Sequence, residues 1–234
     1  MSLNFHQRSN KKELIDSTDV PAVETIQNLK ELDTYNRLTG SIWFTIRQLE
    51  KLKLIQGKHY HLVDLGCGGG EFVVSADKWA TKNNIEMTIS GVDNNPIAIG
   101  YLINRIKHLK QIKAVNSDYK SFLNGEVQRI DIIHCALFTH HLNDDEIIAL
   151  FRTAKKLKAI LLISDLKRSK LAYYSAIAIT RLMNGSSLAK HDGPLSVLRG
   201  FKKNEIKTLA QKAGVEIKCI CNMPFFRYLF VITP

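Results

Sequence analysis

The sequence predicts an α/β domain built on a mostly parallel sheet, and three observations carry that prediction. Short, continuously apolar runs alternate with amphipathic segments from residue 59 onward. A glycine-rich turn, Gly66-Cys67-Gly68-Gly69-Gly70, follows the first of these runs and opens a helix. The chain has 234 residues, 45% of them hydrophobic and 24% charged, which suits one globular domain with a cap and not two full domains. Strands buried on both faces read as unbroken apolar runs, the pattern of a parallel sheet covered by helices on each side.

Taken in order, residues 1–20 are polar and are expected to be poorly ordered. Helical patterns follow over 22–38 and 41–54, the second placing Ile42, Ile46, Leu49 and Leu52 on one face with Trp43 beside them. Strands are predicted over 59–65, 87–93, 112–116, 130–136 and 159–164, with helices over 71–83, 96–108 and 144–156. Pro96 stands in the first turn of its helix, where its missing N–H is no loss. The 144–156 segment carries acids first and lysines last, which suits the helix dipole. After Asp165 the alternation breaks. Residues 169–183 read as an extra helix and 184–200 as a long loop, expected to be functional or mobile. A helix over 203–213 then leads to closing strands over 215–221 and 226–232. The expected organisation is a poorly ordered 1–20, N-terminal cap helices in 21–58, and a main domain over 59–234 with a cap insertion at about 166–200.

Composition excludes several classes. The four cysteines, Cys67, Cys135, Cys219 and Cys221, are too few for a disulfide scaffold, and none forms the CxxC pair of a zinc ribbon. Cys219 and Cys221 share a strand face, where core packing is expected. The start has no apolar stretch of secretory type, and no run approaches the ~18–20 apolar residues that cross a bilayer. A soluble, reduced, cytoplasmic protein is expected. The net charge of +11 is unevenly placed: residues 1–56 carry +1, 57–150 carry −2 and 151–234 carry +12. A basic final third can be a solvated face, or it can attract nucleic acid, an anionic membrane surface or an acidic substrate.

The segment Val63-Asp64-Leu65-Gly66-Cys67-Gly68-Gly69-Gly70-Glu71 carries the chemistry. Its glycines let the backbone turn tightly and approach a ligand. A dinucleotide fingerprint wants a third glycine where Glu71 stands, and a carboxylate at that helix start repels a pyrophosphate. A phosphate-free, positively charged cofactor fits better, and a dehydrogenase is disfavoured. Asp93 ends the second strand, placed to accept both hydroxyls of a ribose. Asp118 follows the third, placed to accept an adenine amine. Each acid alone could serve only as a loop or helix cap. Together they lie at the carboxyl edge of the sheet, where ligands bind in doubly wound folds.

In this ordered set the chain resembles the class I S-adenosylmethionine-dependent methyltransferases. LVDLGCGGGEF, ISGVDNNP and NSDY are similar to their first three motifs, IDIIHCALFTHHLNDDE to their fourth strand and its loop, and AILLISDL to their fifth. The likeness covers about 60–234 and implies a Rossmann-like, doubly wound, seven-stranded sheet with an antiparallel last strand. A narrower likeness, in LDTYNRLTG, SDLKRSKLAY and HDGPLSVLRGF, is to a bacterial subgroup found beside type III polyketide synthases. It implies a phenolic or lipid-like acceptor.

The resemblance further implies that the turn, through Gly66, Cys67, Gly68 and Gly70, holds the methionine part of S-adenosyl-L-methionine, with Asp64 orienting its ammonium. It places Asp93 and Asn94 at the ribose, Ser117, Asp118 and Tyr119 around the adenine, and Cys135 and Ala136 beside the sulfonium. Arg37 is a candidate for the methionine carboxylate. The product would be S-adenosyl-L-homocysteine. Methyl transfer from a sulfonium is an in-line displacement whose leaving group needs no proton, so positioning and exclusion of water supply much of the catalysis. A base is needed only for an acceptor that keeps its proton. His140, His141 and His191 are the candidates, the last beside Asp192. Adjacent histidines are not expected to face the site together. No metal is expected there either, since their side chains should diverge and no third ligand is evident. Asp165 is expected to shape the acceptor pocket or to pair with Lys167, Arg168 and Lys170. Leu171, Tyr173, Tyr174, Ile177, Leu182 and Met183 are offered to an apolar acceptor.

Three functions follow. The first is a methyltransferase acting on a small, hydrophobic or phenolic acceptor at oxygen. The second is an RNA methyltransferase docking through the basic third. No Asp/Asn-Pro-Pro-aromatic sequence follows the fourth strand and no Pro-Cys occurs, which disfavours base-amine and cytosine chemistry. The third is a non-catalytic S-adenosylmethionine-binding protein. Peripheral contact with a membrane is compatible with all three.

Overall fold

The computed structural model describes residues 3–17, 20–125 and 129–234. Its centre is one seven-stranded sheet in the order β3-β2-β1-β4-β5-β7-β6. The strands are β1 (Tyr60–Leu65), β2 (Met87–Asp93), β3 (Ile112–Asn116), β4 (Ile132–Ala136), β5 (Ile160–Leu166), β6 (Glu216–Met223) and β7 (Arg227–Thr233). The first five run parallel, and β7 is inserted between β5 and β6, antiparallel to both. This is the fold class that the sequence predicts. Leu62, Val63, Leu65, Ile133, Leu161 and Ile163 are fully buried, which explains why the strands read as unbroken apolar runs.

Helices cover both faces. One core layer packs Phe72, Val73 and Ala76 of α3 (Glu71–Lys82) and Ile99 and Leu102 of α4 (Pro96–Ile106) against the sheet, with Leu49 of α2 (Ser41–Lys51) behind them. The opposite layer joins Ile147 and Phe151 of α6 (Asp144–Leu157) to Ile206 and Leu209 of α9 (Lys203–Ala213). A short helix α5 (Tyr119–Asn124) follows β3; it is not foreseen in the sequence. The strand order reverses between β1 and β4, and the crevice outside their carboxyl ends is where the site lies.

Three further helices stand over that crevice: α1 (Ala22–Thr39), α7 (Lys170–Leu182) and α8 (Ser187–Arg199). The expected loop over 184–200 is corrected here, for most of it is α8. Ser186 caps the helix by accepting from the Ala189 N–H at 3.2 Å, and Glu31 of α1 accepts from the Ser186 N–H and hydroxyl at 3.0 and 2.9 Å. Leu188, Leu195 and Val197 are buried, and that tertiary burial overrides the breaker signals of Gly193 and the internal Pro194.

The expectation of a poorly ordered N-terminus is also corrected over 3–17, while residues 1, 2, 18 and 19 lie outside the described residues. Asp192 accepts from the N–H groups of Leu14 and Ile15 at 2.8 and 3.0 Å. Arg8 donates to the carbonyls of Arg199 and Leu142, pairs with Asp144 at 2.8 Å and stacks 4.5 Å over Phe201. Arg168 donates to the Phe5 and His6 carbonyls at 3.2 Å. A polar segment is thus laid down by charged partners in place of apolar burial.

Candidate active site

The glycine turn takes its shape from positive backbone angles. Gly66 has φ +66° and Gly70 φ +74°, a region that L side chains rarely adopt. A Cβ at Gly66 would stand 2.4 Å from Phe138, and one at Gly70 would stand 2.2 Å from Leu102. The backbone therefore turns where nothing larger fits. Asp93 fastens the turn to β2, accepting from the Gly68 N–H and the Asn95 N–H, both at 2.9 Å. Burial raises the Asp93 carboxyl, and those two donors hold it down in part. Asn95, which caps α4, accepts from Ile97 and Ala98.

The turn borders a cavity of about 770 Å³, within the ~300–1,000 Å³ typical of ligand pockets. Of the residues expected to bind a cofactor, Gly66, Gly68, Asp93, Asn94, Ser117, Asp118 and Tyr119 line it. Asp118 also caps α5, its Oδ1 accepting from Lys120 and Ser121 N–H. Tyr119 meets Phe138 edge to face at 5.4 Å, and burial raises its phenol well above the usual range.

Others are placed elsewhere. Asp64 is buried beneath the turn, its Oδ1 2.6 Å from His134 Nδ1, so its carboxylate is engaged inside the sheet. Cys67, Gly70, Cys135 and Ala136 do not reach the cavity wall; Cys135 is fully buried and its thiol is pushed well up by burial. Arg37 is exposed on α1 and is no part of the wall. His191 is half exposed beside Asp192 at 2.7 Å, off the cavity wall, because Asp192 turns inward to hold the N-terminal segment. Of the apolar residues offered by 169–183, Met183, itself partly exposed, borders the cavity, while Leu171, Tyr173, Tyr174, Ile177 and Leu182 do not; Ala176, Ile179 and Thr180 form that wall.

His140 and His141 both line the cavity, against the expectation that only one would. They sit in a 3₁₀ turn, Thr139–His141, and their rings lie 4.3 Å apart at 34°. Asp165 fixes this turn and makes no pair with Lys167, Arg168 or Lys170. Its Oδ2 accepts from the Thr139 hydroxyl at 2.5 Å and the His140 N–H at 3.0 Å, while its Oδ1 accepts from His140 Nδ1 and the Leu166 N–H, both at 2.7 Å. Across the ring, His140 Nε2 stands 3.5 Å from Glu13 Oε1. Burial lowers the His140 imidazole, but the charges and hydrogen bonds of Asp165 and Glu13 outweigh it and raise it to about 10. A group that holds its proton so firmly is no general base near neutrality.

The sequence gives no local signal for Glu13, which lies in the polar N-terminal stretch yet is buried on the cavity wall. Nor does it signal Arg227, at the start of β7. That guanidinium is fully buried on the same wall, donates to Asn36 Oδ1 at 3.0 Å, stacks 5.1 Å over Tyr35 and leaves its Nε without a partner.

Glycine turn, strand-end acids and covered crevice together make a nucleoside-type crevice on a doubly wound sheet. The chain belongs to the methyltransferase domain family, which it matches over residues 56–214, and is an S-adenosylmethionine-dependent methyltransferase. Solved structures share the fold. A SAM-dependent methyltransferase from Aquifex aeolicus is 14% identical, over 92% of this chain and 98% of that one, with a TM-score of 0.60. Magnesium protoporphyrin IX methyltransferase from Synechocystis, solved with bound SAH, is 16% identical over 83% and 82%, at 0.54. The CMeT domain of the citrinin polyketide synthase is 14% identical over 82% of this chain and 52% of that one, at 0.58. No curated protein matches. No helix among the described residues is long and apolar enough to cross a membrane.

Proposed function

We propose that the protein transfers a methyl group to an oxygen of a small, hydrophobic, phenolic acceptor of polyketide type. The observation that carries this reading is the composition of the cavity beyond the glycine turn. Leu29 and Leu32 of α1, Ala176 and Ile179 of α7, and Phe225 and Phe226 before β7 give it apolar walls. Into these walls the structure sets one buried guanidinium with an unsatisfied Nε, that of Arg227. An aromatic ring with an ionisable oxygen suits both features.

Bound S-adenosylmethionine supplies an electrophilic methyl on a sulfonium. The acids around the turn (Asp93 on the cavity wall, Asp64 beneath it, Glu71 at the start of α3) fit a cationic, phosphate-free group. Asp93 and Asn94 are the residues we assign to the ribose, and Ser117, Asp118 and Tyr119 to the adenine. Gly66 and Gly68 let the backbone approach, and Phe138 closes the wall beside them. The roof of α1, α7 and α8 excludes water, and Arg227 holds an anionic acceptor oxygen. An acceptor that loses its phenolic proton to solvent and binds as the phenolate, its charge met by Arg227, needs no base on the protein, consistent with a His140 that keeps its proton.

The inward placement of three arginines of the basic third supports the same reading. Arg168, Arg199 and Arg227 are buried and bound to groups inside the fold, so they add nothing to a surface for nucleic acid. Calorimetry with S-adenosylhomocysteine, repeated on Asp93→Ala, tests the donor site, and a panel of phenolic polyketides assayed for methylation tests the acceptor. Methylation of a phenol, weakened at least tenfold in KM by Arg227→Met, is the expected outcome. Binding of S-adenosylhomocysteine with no phenol turned over, alongside strongly salt-dependent methylation of RNA, would reject it.

A further inference from the structure

We propose that Glu13, His140 and His141 form a binding site for one first-row divalent metal ion, of the zinc, cobalt(II) or iron(II) class, on the cavity wall. Each of the three offers one ligand atom, and these atoms lie within 4.8 Å of one another. The histidine rings run side by side, and the N-terminal segment brings the third ligand from 127 residues away in the chain.

The spacing is somewhat wider than a closed coordination shell, so the three side chains must draw together by a few tenths of an ångström to about 1 Å on a bound ion. His140 Nε2 is 3.5 Å from Glu13 Oε1, and His141 Nε2 is 3.9 Å from Glu13 Oε2. Bonds of about 2.0–2.2 Å at tetrahedral angles put neighbouring ligand atoms about 3.3–3.6 Å apart. Glu13 Oε1 is buried with no hydrogen bond of normal geometry; its nearest donors, His140 Nε2 and Arg199 Nε, both stand 3.5 Å away, which leaves room for a closer cation. The other carboxylate oxygen, Oε2, is held by the Ser196 hydroxyl at 2.7 Å.

The outer shell is in place on both histidines. His140 Nδ1 is 2.7 Å from Asp165, and His141 Nδ1 is 2.9 Å from Asp16, so each ring has a carboxylate behind it and turns Nε2 toward Glu13. Such backing orients an imidazole ligand and raises its basicity. Arg199 pins the turn by donating to the His140 and His141 carbonyls at 3.0 and 2.7 Å, with its Nε 3.5 Å from Glu13 Oε1. The Glu13, Asp16 and Asp165 carboxylates gather here, with Arg199 beside Glu13 and Asp16 and with Arg8 and Arg227 also acting on Asp165. Binding a metal at His140 Nε2 displaces the ring's proton, so the dication takes the place of an imidazolium between Asp165 and Glu13. Two nitrogens and one oxygen leave at least one position open, and this donor set selects a transition metal over magnesium or calcium. The open position suits an oxygen of the acceptor. That role rests on the function proposed above; the binding of the metal does not.

The test uses the full chain, stripped with EDTA and then titrated with cobalt(II) chloride, with neither methyl donor nor acceptor present. One cobalt per chain is expected, displaced by zinc, with visible d–d absorption and no sulfur-to-cobalt charge-transfer band. Glu13→Gln and His141→Ala should each weaken binding at least about 100-fold while keeping the parent's circular dichroism. In the parent, zinc should shift the side-chain nitrogen resonances of two histidines, a readout that needs no variant to fold. The proposal fails if cobalt does not bind below about 100 µM. It also fails if both variants bind as the parent does, or if binding vanishes in Cys219→Ser/Cys221→Ser.

Discussion

Asp165→Asn should destabilise the protein by several kcal/mol, because four buried donors converge on the two oxygens of that carboxylate. Thr139 Oγ1 and the His140 N–H meet Oδ2, while His140 Nδ1 and the Leu166 N–H meet Oδ1. An amide has one oxygen, so its NH₂ faces either the Thr139 hydroxyl and the His140 N–H, or the Leu166 N–H and a His140 ring that must give up its Nδ1 proton to accept. Each buried donor left unpaired costs about 1–3 kcal/mol. Removing one partner of a buried charge pair typically costs about 3–5 kcal/mol. These are overlapping views of one loss, and about 4 kcal/mol is the expected size. That is a large share of the ~5–15 kcal/mol that holds a domain together. Urea unfolding in EDTA at neutral pH, followed by circular dichroism, is the assay. With a slope of about 2–3 kcal/mol per molar, the midpoint should fall by about 1–2 M. A midpoint within about 0.3 M of the parent would show that Asp165 does not organise the Thr139–His141 turn.

Gly66→Ala would strain a φ of +66° and drive a Cβ to 2.4 Å from Phe138; a loss of about 2–5 kcal/mol in stability and at least tenfold weaker S-adenosylhomocysteine binding are expected from melting and calorimetry. Glu71 is raised to about 7, by burial first and the Asp33 charge second, so its charged form is disfavoured in the fold. Stability should therefore decline as pH rises from about 4.5 through 7, and Glu71→Gln should gain about 1 kcal/mol on the parent above pH 7, with no gain at pH 4.5, once solvent screening of this half-exposed group is allowed for. Asp192→Ala removes the acceptor of the Leu14 and Ile15 N–H groups; trypsin should then cut at Lys11 and Lys12 at least about tenfold faster, since two bonds to a charged group are worth about 3 kcal/mol or more. Unchanged cleavage would mean that the other anchors, Arg8, Arg168, Ser196 and Arg199, hold the segment without Asp192.

The sheet was legible because its signals are local. Buried parallel strands announce themselves as apolar runs, and the Gly66–Gly70 turn carries its positive angles in its residue types. The strand-end acids were legible as well, although Asp118 spends one oxygen capping α5, a helix too short for its periodicity to show. Helix α8 was hidden because Gly193 and Pro194 are breakers by propensity, and only the burial of Leu188, Leu195 and Val197 outweighs them. The site was half legible. Residues that follow a strand end could be placed from the alternation, whereas Glu13 and Arg227 reach the wall through contacts far apart in sequence. Nothing near Glu13 distinguishes it from a solvated acid, and the diverging-side-chain argument for His140 and His141 failed because a 3₁₀ turn, fixed by Asp165 and Arg199, sets their rings alongside each other.

The strap formed by residues 3–17 has a consequence for the order of assembly. It leaves the ribosome long before its anchors Arg168, Asp192 and Arg199, which lie more than 150 residues further along the chain. A nascent chain therefore carries the glycine turn and the nucleoside crevice long before it has a finished acceptor wall. The wall closes only when this early-made segment returns to helices made much later. Anything fused ahead of Leu3 must be carried through that return, whereas an extension after Pro234 need not be.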